Sequence, residues 1–60
     1  MKLELDFALD VIREADRNYY AGAIGMIRSI MRSDFSPFSK IRDIKTILVA
    51  LDAVLAENNL

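Results

Sequence analysis

Apolar residues recur along the first half of the chain in alternating steps of four and three: Leu5, Leu9, Ile12, Tyr19, Ala23, Met26 and Ile30. At about 100° per residue this spacing is one face of an α-helix, and a single acid, Asp16, takes the slot between Ile12 and Tyr19. Either a carboxylate lies in the seam of one long helix, or the helix ends there. The phase is the same on both sides of Asp16, and a loop usually resets it, so the pattern predicts one helix over residues 3–32. The alternative is a break near 16–18, with Asn18 or Asp16 capping a new helix from Tyr19.

Turn-forming residues cluster at Ser33-Asp34-Phe35-Ser36-Pro37, and Ser36-Pro37 has the form of an N-cap followed by proline at the first helical position. A second helix over 37–57 follows, with Ile41, Ile44, Leu48, Leu51 and Leu55 on its apolar stripe and Ile47 and Val54 widening it. Lys40, Arg42, Asp43, Lys45, Thr46 and Glu57 fall outside the stripe or at its margin. The chain is therefore expected to be all-α, a single helical domain over 1–60. Its preferred form is an antiparallel helical hairpin, and the alternative is a single-chain three-helix unit broken near 16–18.

Composition sharpens the question of whether the chain closes its own core. Its 60 residues are 53% hydrophobic, and they include neither Cys nor His. That size is near the limit for folding without a disulfide, a metal or a partner, and neither a disulfide nor a zinc site can be built. Pairing of two hairpins as a homodimeric four-helix bundle is the expectation that follows, with Asp16, Tyr19, Gly22, Ala23, Met26, Ile30, Ile47, Leu51 and Val54 at the dimer interface. Gly22 and Gly25 each cost up to about 1 kcal/mol against Ala inside a helix, so close approach by another helix is the reason they imply.

Charge is unevenly placed. The net charge is −1, too low for general affinity to nucleic acid, and the longest apolar runs are far shorter than the ~20 residues of a membrane span. The N-terminal residues interleave acids with apolar side chains and do not form a signal peptide, so a cytoplasmic location is the default expectation. Arg28, Arg32, Lys40, Arg42 and Lys45 face only Asp34 and Asp43 within residues 28–45, which makes the tip of a hairpin basic and its open end acidic. In an antiparallel dimer Asp16 would then meet Lys45 or Arg42 of the other copy.

Chemistry finds little footing. Without His or Cys the available bases are Asp, Glu, Lys and Tyr, and so few helices do not readily enclose a pocket of ~300 Å³, so no enzymatic activity and no cofactor are expected. Asp6, Asp10 and Glu14 share a helix face at successive steps of four, which reads as a solvated acidic face with too few ligands for a tight cation site. The expected function is non-catalytic: a small regulator or inhibitor that occludes a surface of a larger protein. Arg28, Arg32, Lys40, Arg42 and Lys45 would supply its contact charge, and Phe35 and Phe38 its apolar anchors. A purely structural, self-assembling subunit is a further alternative.

Two resemblances bear on this. The string from Tyr20 to Phe35, Tyr-Ala-Gly-Ala-Ile-Gly-Met-Ile-Arg-Ser-Ile-Met-Arg-Ser-Asp-Phe, resembles the second helix of a tetratricopeptide repeat over a quarter of the chain. It lacks that repeat's first-helix pattern and the proline after the aspartate, and the chain holds no second copy. In size and inferred architecture the hairpin also resembles small RNA-binding dimers of plasmid copy control, which would imply an RNA partner.

Overall fold

The computed structural model describes residues 2–16 and 18–58, and all its regular structure is helical. Three helices follow one another, α1 (Leu5–Glu14), α2 (Tyr19–Arg32) and α3 (Pro37–Glu57). The single helix expected over 3–32 is thus two. Asp16 is the corner: its φ is 58°, the left-handed region that short polar side chains enter more readily than most residues. The amides of Ala15 and Asp16 close the end of α1 on the carbonyls of Ile12 and Arg13, at 3.1 and 3.2 Å. Asn18 then caps α2, its side-chain oxygen accepting from the Ala21 amide at 3.2 Å. Arg17, which the pattern places on the outer face, lies outside the described residues.

Continuous phase misled because α1 and α2 turn their stripes toward a common third helix. Two helices that share one core can keep the same register without being one helix. Gly22 allows the corner to close: a Cβ there would stand 2.9 Å from the Ala15 Cβ. Asp16 itself is exposed. The long-helix seam in which it was expected to meet Lys45 or Arg42 of a second copy is absent from this chain.

α3 begins at Pro37, with the Ser36 hydroxyl accepting from the Ser39 amide at 3.2 Å. It runs parallel to α1, tied to it near Leu3 and Asp43 at one end and near Arg13 and Glu57 at the other. α2 runs back antiparallel to both and packs against each. The core is small: Ala8, Ala23 and Ala50, one from each helix, with Ile12, Ile47, Leu51 and Val54. Alanines let the helix axes approach, and each buried Ile, Leu or Val adds about 1.5–3 kcal/mol of apolar transfer. Leu9, Tyr19, Met26, Ile27, Ile30 and Leu55 flank it, partly covered.

α3 packs on one margin of the stripe its pattern suggested, through Ile47, Leu51 and Val54. Its inward line is Asp43, Ile47, Ala50, Leu51 and Val54, while Ile41 and Leu48 are 57% and 47% exposed. The seam is rotated by about one residue, or ~100°. An α3 that touches two helices centres its Ala50 side on them, and Ile41, Leu48 and Val49 turn outward. Ala23, Ile47, Leu51 and Val54, assigned above to an interface between copies, are enclosed within one chain. Among the described residues no helix is long and apolar enough to cross a membrane.

Candidate functional site

α1 and α2 touch at Gly22 and Ala15 and leave a trough along the rest of their contact. Leu3, Phe7 and Val11 form one wall, Met26, Ser29 and Ile30 the other, and the volume is about 480 Å³. Its far edge is open at Gly25, where a Cβ would meet nothing within 4 Å. The two glycines therefore differ: Gly22 has the close neighbour its residue type implied, and Gly25 has none among the described residues. Phe7 stands at the rim, 59% exposed.

Helical spacing gives the trough charged borders. Ala21, Gly25, Arg28 and Arg32 follow one line along α2, so the two exposed arginines continue its far edge. On α1 the line Leu3, Phe7, Asp10, Glu14 does the same with acids, and Asp10 lies 3.8 Å from Arg13. One border is cationic and the other anionic.

The remaining expected contact residues separate into different tasks. The Lys40 ammonium donates to the Met31 carbonyl at 3.1 Å and closes the turn between α2 and α3. Arg42 donates through Nε to Asp43 Oδ1, also at 3.1 Å. Phe35 is half-buried in the turn. Phe38, Arg42 and Lys45 do come together with Ile41, around a depression of about 420 Å³ on the outside of α3. Of the residues expected at a dimer interface, Met26 and Ile30 line the trough, Tyr19 packs beside the core, and Gly22 is in the corner.

The sequence matches no protein-family model, no curated protein and no solved structure.

One buried charged side chain escaped the sequence pattern. The buried carboxylate is Asp43, only 2% exposed, and it accepts from the Leu3 amide at 3.2 Å as well as from Arg42. Burial pushes its carboxyl upward, but the hydrogen bonds from Arg42 and Leu3 and the charge of Arg42 outweigh that and hold it below the ordinary value. Asp43 heads the line Asp43, Ile47, Ala50, Val54, which was the available signal. At the opposite end Glu57 is held below its ordinary value by the hydrogen bond from Arg13. Among the described residues no group of three or more His, Cys, Asp or Glu side chains is placed to hold a metal ion.

Proposed function

We propose that this chain is a non-catalytic binding module that takes an amphipathic helix of a larger protein into the trough between α1 and α2 and so occludes it. The observation that carries this reading is the apolar trough itself, with the exposed Phe7 ring on one wall and an uncovered Gly25 on the other. Helix-in-groove recognition needs such a slot, with apolar anchors of the partner entering at steps of three and four. Acidic residues on the flank of the incoming helix would face Arg28 and Arg32, and basic ones Asp10 and Glu14, so the borders select both identity and direction. An RNA strand fits less well, since the acidic border repels phosphate.

Photocrosslinking in the source cell tests the reading, with benzoylphenylalanine in place of Phe7 and, as a control, of Asp34. The expected result is a protein adduct from position 7, none from position 34, and loss of the adduct in the Gly25→Leu variant, whose helical circular dichroism is unchanged. An adduct that ignores Gly25→Leu, or no adduct at all, overturns it.

A further inference from the structure

On the side of the bundle turned away from the trough, α3 carries a second apolar face that none of the described residues covers. Phe38, Ile41, Leu48 and Val49 are 80%, 57%, 47% and 56% exposed. Steps of three and four place them on one stripe with two charges, Lys45 and Asp52. Both are exposed, and among the described residues neither belongs to an ion pair within the chain. The pattern has a symmetry: Lys45 and Asp52 lie equally far from the midpoint between Leu48 and Val49.

We infer that a second copy of this chain packs on this face, α3 against α3 in antiparallel orientation, about a two-fold axis between Leu48 and Val49. Each charge is 3.5 residues from that axis, about 5 Å along the helix, so Lys45 comes level with Asp52 of the second copy and the contact is made twice. Leu48 meets Val49, and Ile41 comes level with Ala56. Parallel pairing would set Lys45 on Lys45 and Asp52 on Asp52, which repel. An unrelated partner would have no need of this symmetry. A single helix face is smaller than the ~800 Å² per partner of a standard interface, so the association is a weak one. The resulting dimer carries its two troughs on opposite outer sides and joins two bound helices.

Sedimentation equilibrium on the full chain tests the inference at concentrations up to about 200 µM, where a weak dimer populates by mass action. Dimer is expected for the native sequence. Lys45→Asp and Asp52→Lys each place like charges together twice and should weaken association by about ten-fold or more, while the double exchange restores it. Leu48→Glu should give monomer with its helical signal intact, because the side chain faces out of the core. Phe7→Glu, which removes the trough's rim, should leave the dimer unchanged, so this interface stands or falls separately from the trough. A monomer throughout the range, a double exchange no better than the single ones, or a dimer lost with Phe7→Glu overturns it.

Discussion

Asp16 and Asp43 each stand on an apolar helical line, Asp16 within it and Asp43 at its head, and they meet opposite fates. Asp16 ends its helix and stands in water at a left-handed corner, while Asp43 stays in its helix and is buried. What separates them is the supply of donors. Asp43 has Arg42 beside it and the Leu3 amide brought against it, so its charge keeps hydrogen bonds when water is removed. Asp16 has no such provision among the described residues, and its neighbours favour a turn: Asn18 caps the next helix, and Gly22 lets that helix close against Ala15. A buried acid is tolerated where the fold delivers donors, and a helix breaks where it does not.

The largest expected effect is at Asp43. Asp43→Ala leaves the Leu3 amide without its acceptor and should cost about 2–3 kcal/mol in urea unfolding, a large share for a chain this small. Asp43→Asn should recover part of that, because the amide oxygen still accepts from Leu3. The charge itself shows in the pH dependence. A carboxyl held below its unfolded value contributes its stability above that value and loses it as pH falls through the folded one, so native stability should drop below about pH 4. Asp43→Asn should flatten that drop. A native-like midpoint for Asp43→Ala would remove the contrast with Asp16.

Next in size is the corner that Asp16 makes. Gly22→Ala forces a Cβ to 2.9 Å from that of Ala15, a methyl that cannot swing away, and should destabilise by about 1–2 kcal/mol despite the better helix propensity of Ala. Gly25→Ala meets nothing within 4 Å and should stabilise by up to about 1 kcal/mol. Opposite signs in thermal melts are the expected result. The same sign for both would mean that α1 and α2 do not touch at Gly22, and the corner would no longer distinguish the two acids.

Which of these features the chain displays before folding follows from the range of the interactions behind them. Helical class and the Ser36-Pro37 start of α3 rest on residues within one turn of each other, and they are readable as such. The pairing of Arg28 with Arg32 on one helix face is equally local. Burial of Asp43 depends on Leu3, 40 residues away, and the trough exists only because α1 and α2 are separate helices that pack side by side. The α3 seam is shifted toward one margin of the expected stripe for another reason. Ile41, Ile44, Ile47, Leu48, Val49 and Leu51 surround much of the helix, and periodicity alone does not choose which side faces inward. If the outward side meets a second copy, that excess of apolar residues has a function.

The smallest effect expected is at Asp16 itself, and it bears most directly on the comparison. With φ at 58° the residue carries strain that glycine would not, so Asp16→Gly should stabilise by about 0.5 kcal/mol once the greater freedom of glycine in the unfolded chain is subtracted. Asp16→Leu should do the reverse, by about 1–2 kcal/mol, since a bulky side chain is disfavoured in the left-handed region. Leucine also completes the apolar line from Leu5 to Ile30 and so offers the continuous helix that the aspartate forbids. Small-angle scattering separates the outcomes. A strained but native corner keeps the native radius of gyration, 11.1 Å over Cα atoms, whereas a straightened α1–α2 helix lengthens the molecule and exposes Ile12 and Ala23. Lengthening in Asp16→Leu would show that this one carboxylate selects three helices over two, and no change would assign that choice to Gly22 and Asn18.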